Sequence, residues 1–170
     1  MSIIPLVIMA VVVTVFSVKS METALQNEAL SGLQATATAV NAGYTSINSD
    51  PYSINEDGDM VKGDFNITQN EAVIDAYTEN MDTDVTIFYG DTRMPTSLID
   101  AASGKRITGT QASDIVKQTV YENGEIYTTK NLTVNNQNYY CYYMPLENPD
   151  GSIAGIVFAG QPSADIQAYI

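Results

Sequence analysis

An α+β fold, with antiparallel strands laid against one long helix, is predicted by two patterns in this 170-residue chain. From Met21 to Ile47 apolar residues (Met21, Leu25, Ala29, Leu33, Ala37, Val40, Tyr44, Ile47) recur at spacings of 4, 4, 4, 4, 3, 4 and 3. That is helical periodicity sustained along the whole segment. From Val85 to Gly160, β-branched and aromatic runs alternate with Gly, Asn and Asp turns, the mark of antiparallel strands joined by short connections. A third observation bears on location: the first eighteen residues carry no charged side chain. A spanning helix needs roughly 20 apolar residues, with a lower limit of about 17.

The elements follow in chain order. Residues 1–18 are expected to form a retained membrane helix. A secretory signal is disfavoured because no basic segment precedes the apolar run and no small-x-small pattern follows it. Residues 19–49 continue as a membrane-proximal helix with no Pro or Gly at the junction, so the two are expected to form one rod. The opposite face, with Ala35, Thr36, Thr38 and Ala39, is small enough for close approach of a second copy, and a homodimer through this helix is expected. Residues 50–165 are expected to form the folded core. Asp50–Gly63 reads as loop; its Asn55, Glu56, Asp57 and Asp59 depart from the calcium-loop pattern and are expected to be solvated. Thr68 and Glu71 form a capping box ahead of a short helix ending at Asn80.

Strands are expected at Val85–Tyr89, Pro95–Asp100 and Lys105–Thr108, with turns at Gly90-Asp91 and Ser103-Gly104. Ser113–Glu122 reads as an amphipathic helix with Ile115, Val116, Val120 and Tyr121 inward, ended by Asn123-Gly124. Glu125–Val134 and Asn138–Leu146 form a hairpin about an Asn135-Asn136 turn, and Ile153–Gly160 is the last strand. Residues 166–170 are expected to begin a helix leading to a second membrane segment. Strand parity places Tyr139, Cys141 and Tyr143 on one face and Tyr140, Tyr142 and Met144 on the other. A sheet apolar on both faces is covered on both sides. The long helix covers one side, and the irregular 50–83 and 90–112 segments roof the other, where a pocket can lie.

Composition removes whole classes of function. A formal net charge of −13 with seven Lys and Arg argues against a nucleic-acid partner, because little could neutralise a run of phosphates. Histidine is absent and Cys141 is the single cysteine. Ser-His-Asp and Cys-His catalysis, an internal disulfide and a Cys/His zinc site are therefore excluded. No enzyme activity and no cofactor are expected; Asp91 with Arg93 is the one acid–base pair an enzymatic reading could use. Against this acidic background Arg93, Lys105 and Arg106 fall within fourteen positions, a local positive focus suited to a small anion. Lys105 and Arg106 are adjacent, so at most one can face a pocket from a strand, and Lys105 is assigned to solvent.

Four stretches carry a resemblance: VTIFYGDTRMPTS (85–97), GKRITGT (104–110), YYMPL (142–146) and DGSIAGIVFAGQP (150–162). In this order, and with the membrane-proximal helix before them, the chain resembles the extracellular single-Cache sensor domains of bacterial methyl-accepting chemotaxis receptors and related sensor kinases. The resemblance spans residues 19–170. It implies a PAS-like antiparallel sheet of five or six strands, a long N-terminal helix continuous with a transmembrane helix, and a ligand pocket on the sheet face away from that helix. It also implies a small metabolite, commonly a carboxylate, as ligand. Arg93 and Arg106 are then the expected anion clamp, with Tyr143, Tyr127 and Thr96 as further ligand-binding candidates and Ser97, Thr108 and Thr110 as other hydroxyls in reach. An ion pair of Arg93 with Asp91 or Asp100 is the structural alternative. A pilin-like subunit is the rival architecture; that class places a Glu five residues into the apolar helix, whereas here the first acid is Glu22 and Pro5 lies near the start.

Overall fold

The computed structural model describes residues 3–79 and 81–167. Helix α1 (Ile4–Thr45) runs unbroken for 42 residues, about 63 Å at 1.5 Å per residue. Its N-terminal portion is long and apolar enough to cross a membrane, and that stretch is not buried against the rest of the chain. Its C-terminal portion is anchored: Leu33, Ala37, Val40 and Tyr44 are buried, four members of the stripe seen in the sequence. Met21, at the other end of that stripe, is exposed.

Three short strands follow, β1 (Tyr52–Ile54), β2 (Met60–Lys62) and β3 (Phe65–Asn66), paired as an antiparallel sheet in the order β1-β2-β3. Next come α2 (Glu71–Thr78), β4 (Asp84–Tyr89) and β5 (Thr92–Thr96). After a long connection, α3 (Asp114–Val116) passes into a π-helical segment, Lys117–Glu122. Strands β6 (Tyr127–Val134), β7 (Gln137–Glu147) and β8 (Ile153–Pro162) and the short α4 (Ser163–Gln167) complete the order. The main sheet is β5-β4-β8-β7-β6, antiparallel at every step. Its first and last strands in sequence meet at the centre, where Ile87 lies opposite Val157 and Phe88 opposite Ile156. This is the α+β, PAS-like architecture expected, with five strands in the main sheet.

The sheet divides the core in two. On the α1 side Val85, Ile87, Tyr140, Tyr142, Val157 and Ala159 pack with the helix stripe. On the far side Phe88, Leu98, Val116, Val120, Tyr139, Cys141, Tyr143, Ile156 and Phe158 form a second cluster. Alternate residues of β7 and β8 therefore feed different cores, as their parity requires. Full burial of each large apolar side chain contributes about 1.5–3 kcal/mol, so both faces hold the sheet. Gly160 faces the far side, where a Cβ would meet the rings of Phe158 and Tyr139. The β6–β7 connection is Asn135-Asn136 with φ of 49° and 62°, the left-handed pair that a two-residue hairpin favours.

Several expectations are corrected. Asp50–Gly63 is not all loop: it holds β1 and β2, joined by a turn in which Asn55 Oδ1 accepts from the Asp57 and Asp59 amides. The capping box does not form. Thr68 Oγ1 accepts instead from the Met60 amide at 2.8 Å, and α2 starts after Asn70 with no side-chain cap. The second strand of the β4 hairpin begins at Thr92, immediately after the Gly90-Asp91 turn, so Arg93 lies in a strand. Lys105–Thr108 is no strand; it is represented by a single bridge between Ile99 and Arg106. Ile115 is exposed, whereas Val116 and Val120 are buried as expected. The expected helix end at Asn80 and the helix expected through 168–170 lie outside the described residues.

Candidate ligand-binding site

Strand β5 positions the site. Arg93 is paired with Phe88 across the hairpin, so its side chain shares the far face with the Phe88 ring, whose centroid lies 5.4 Å from the guanidinium carbon. The other edge of β5 is taken by the returning connection. The Arg93 amide donates to the Thr110 carbonyl at 2.7 Å, and the Gly109 amide donates to the Arg93 carbonyl at 2.8 Å. Thr110 is thereby held beside Arg93, and its Oγ1 accepts from Arg93 Nη1 at 2.8 Å.

Here a pocket of about 240 Å³ opens on the sheet face away from α1. Phe88, Ala112, Leu132, Val134 and Tyr143 supply its apolar and aromatic walls, Gln111, Ser113, Thr133 and Asn135 its polar ones, and Arg93 its only charged group among the described residues. Among the described residues no Asp or Glu lines it. Burial lowers the Arg93 pKa, an effect partly offset by the neighbouring Tyr143. Burial likewise pushes the Tyr143 phenol well up, with Cys141 adding to the shift and Arg93 opposing it. Among the described residues Arg93 has no ion-pair partner, and its Nε is buried without any acceptor. An unmet buried donor costs about 1–3 kcal/mol. The site thus presents a partly desolvated cation with an open hydrogen-bonding position, in a concavity.

The structure gathers part of the residue set expected from the sequence. Arg93 and Tyr143 line the same pocket, and Tyr127 lies behind them with its ring 6.1 Å from that of Tyr143, which in turn lies 4.9 Å from Phe158. Thr96 is on the same sheet but fully buried, its Oγ1 2.6 Å from Thr86 Oγ1 and accepting from the Leu98 amide. Its hydroxyl is spent on the hairpin and does not line the pocket.

Arg106 is not brought to Arg93, so the expected two-arginine clamp is not assembled. Its Nε lies 3.0 Å from Glu71 Oε2, its Nη2 is bidentate on Asp75 at 2.7 and 2.9 Å, and its Nη1 donates to the Thr96 carbonyl at 2.6 Å. It belongs to a separate cleft of about 430 Å³ whose walls also carry Asp75, Asp82, Asp84 and Asp165. Lys105 is exposed, as assigned. Asp91 pairs with Lys117 at 2.9 Å, and Asp100 accepts from the Ala102 amide, so neither carboxylate pairs with Arg93. Tyr140 and Tyr142 face α1.

The pocket's other walls were missed by sequence reasoning. Asn135 was read only as a turn residue, yet it lines the pocket and its Nδ2 donates to the Ile99 carbonyl at 2.9 Å, tying the β6–β7 turn to the long connection. The Asn135-Asn136 pair, which favours a left-handed turn, was the available signal. Gln111 and Ser113 gave none.

A five-stranded antiparallel sheet with a long helix on one face and a cation-bearing pocket on the other defines a domain of the PAS-like α+β class. The family model for Single cache domain 3 matches residues 65–170, and the chain belongs to that family. Among solved structures it is similar to three structures of the sensory domains of two Campylobacter jejuni chemoreceptors, Tlp3 and Tlp1. The Tlp3 ligand-binding domain in complex with L-valine has 18% identity, 86% of this chain and 65% of that chain covered, and a TM-score of 0.45. The Tlp3 sensory domain with isoleucine bound has 18% identity, 86% and 64% covered, and a TM-score of 0.45. The periplasmic sensory domain of Tlp1 has 13% identity, 89% and 59% covered, and a TM-score of 0.48. This chain spans less than two thirds of the length of each. No curated protein sequence matches it.

Proposed function

We propose that this chain is the extracytoplasmic, ligand-binding part of a membrane-anchored signalling receptor, and that its ligand is a small carboxylate held by Arg93. The observation that carries the reading is the state of that arginine: half-buried, without a carboxylate partner among the described residues, and with an unmet Nε–H beside a pocket of about 240 Å³. A carboxylate oxygen would meet that donor, and the planar guanidinium fork suits a bidentate anion. The absence of Asp and Glu from the lining favours an anion that brings no ammonium group of its own. Tyr143 and Phe88 would close on its apolar portion, with Tyr127 supporting Tyr143. In this reading the pocket has a binding role and no catalytic step is assigned to it.

Signalling follows from the placement of α1. The same helix packs on the sheet through Leu33, Ala37, Val40 and Tyr44 and extends into the apolar stretch. Ligand binding acts on the membrane segment if it favours one arrangement of sheet against helix over another. The small-residue face of α1 (Ala35, Thr38, Ala39) is the surface for a second copy, giving a parallel homodimer.

The test is calorimetric titration of the full chain in lipid nanodiscs with sodium acetate, propionate and pyruvate, against chloride as control. Micromolar to millimolar binding of at least one, lost in Arg93→Ala, is expected. Equal binding by wild type and Arg93→Ala, or none by any of the three, overturns the carboxylate site.

A further inference from the structure

Asp91 is the natural partner of Arg93. The two are separated by one residue, so their Cα atoms lie at most about 7 Å apart, and an arginine side chain covers that distance. Such a pair would fill the pocket's cation from within and leave nothing for a ligand anion. The pair does not form. Asp91 Oδ2 instead lies 2.9 Å from Lys117 Nζ, on the first residue of the π-helical segment. The Asp91 carboxylate raises the Lys117 pKa both as a hydrogen-bond partner and as a charge, and it is not among the groups that shift Arg93. The hairpin tip and this helix are also joined through the backbone, the Ala112 amide donating to the Asp91 carbonyl at 2.8 Å just before the helix begins.

From this arrangement we infer that Lys117 is a positioning residue for the ligand site: it sequesters Asp91 and so keeps Arg93 open to an external anion. The inference rests on the reading of Arg93 as the anion receptor. It explains why a strongly acidic chain can hold an unpaired arginine two residues from an aspartate. It also gives the π-helical segment a purpose, since Lys117 is carried there, outside the pocket, where its own charge does not compete for the ligand. Lys117 touches no ligand in this scheme.

The chain contains only two arginines, Arg93 and Arg106, so arginine labelled with nitrogen-15 at Nε gives two side-chain signals. Arg106, locked to Glu71 and Asp75, serves as an internal control for folding. Full chain in nanodiscs is compared as wild type, Lys117→Gln, and Lys117→Gln combined with Asp91→Asn. In Lys117→Gln the Arg93 Nε–H signal is expected to move downfield as Asp91 turns to it, with the Arg106 signal unmoved, and the double variant is expected to return it. Rescue by Asp91→Asn separates the effect of this carboxylate from the general loss of a positive charge. An Arg93 signal unchanged by Lys117→Gln overturns the inference.

Titration with sodium propionate supplies a second readout. Propionate is expected to move the Arg93 signal of the wild type but not that of Arg106, with affinity falling on the order of tenfold in Lys117→Gln and recovering in the double variant. Equal affinity in wild type and Lys117→Gln also overturns the inference. Should propionate move neither signal in the wild type, the receptor role of Arg93 for that carboxylate falls, and the role of Lys117 is still decided by the ligand-free spectra.

Discussion

The chain's two arginines stand thirteen positions apart, Arg93 in β5 and Arg106 in the connection that follows it, and differ in almost every respect. Arg106 donates to four oxygens, spread over Glu71, Asp75 and the Thr96 carbonyl. It staples the connection to α2, whose Ile74 is buried in the α1-side core. Arg93 donates from its side chain to one hydroxyl, that of Thr110, and keeps a buried Nε without a partner. One guanidinium has been consumed by the fold. The other retains free energy that only an added group can release. Charge alone therefore does not distinguish the two arginines; unmet hydrogen-bonding capacity inside a concavity does, and the proposed carboxylate site rests on it.

The largest expected effect separates the two directly. Arg93→Ala should reduce carboxylate affinity by about a hundredfold or more, since hydrogen bonds to charged groups are worth about 1.5–3 kcal/mol each. Its cost in folding stability should be small, because the substitution also removes an unsatisfied donor. Arg106→Ala should do the reverse. Binding should stay within about threefold, while stability falls by about 1–2 kcal/mol, discounted because Glu71 and Asp75 are half exposed. Chemical denaturation and calorimetry on both variants check this. If Arg106→Ala abolished binding with stability intact, the division of labour would be reversed.

How far the sequence reveals this division depends on the range of the interactions. The stripe from Leu33 to Tyr44 and the split of Tyr139, Cys141 and Tyr143 from Tyr140 and Tyr142 are set by local periodicity, and both are legible. The fate of Arg106 is not, because its partners are 31 and 35 positions away on α2 and only tertiary packing brings them near. The capping box failed for the same reason: Thr68 has a competing partner in the Met60 amide. Strands β1 and β2 escaped notice because each has three residues, too few for a period to show. Arg93 was legible as a candidate from its motif. What makes it one, the withdrawal of Asp91 by Lys117, was not.

The two regions should also answer differently to alkali. On the Arg93 side, burial pushes the Cys141 thiol up to about 12 and drives the Tyr143 phenol further. Their neutral forms are favoured in the folded state, and both folded values are raised above the unfolded ones. The stability they contribute is thus fully present below pH 9 and is lost as pH rises, first through the Cys141 window from about 9 to 12, at up to about 1.4 kcal/mol per pH unit. In Cys141→Ala the decline should begin about one unit later, near the tyrosine range. The Arg106 staple has no group titrating there, so Arg106→Ala should shift the whole stability curve without changing its slope between pH 9 and 11. A changed slope in Arg106→Ala, or an unchanged one in Cys141→Ala, would show that the far-face core is not the alkali-sensitive element.

Salt gives the smallest and most selective difference. The carboxylates facing Arg106 are half open to water, so their attraction is screened, with a Debye length near 10 Å at 0.1 M falling to about 3 Å at 1 M. The stability gap between wild type and Arg106→Ala should narrow by less than about 1 kcal/mol over that range. The gap for Arg93→Ala should stay flat, because its surroundings are an aromatic ring and a hydroxyl, with no carboxylate to screen. Parallel denaturation curves at the two salt concentrations test both statements. A gap for Arg93→Ala that narrowed as much as that for Arg106→Ala would mean that Arg93 has a carboxylate partner in solution, and Asp91 would be the first to examine.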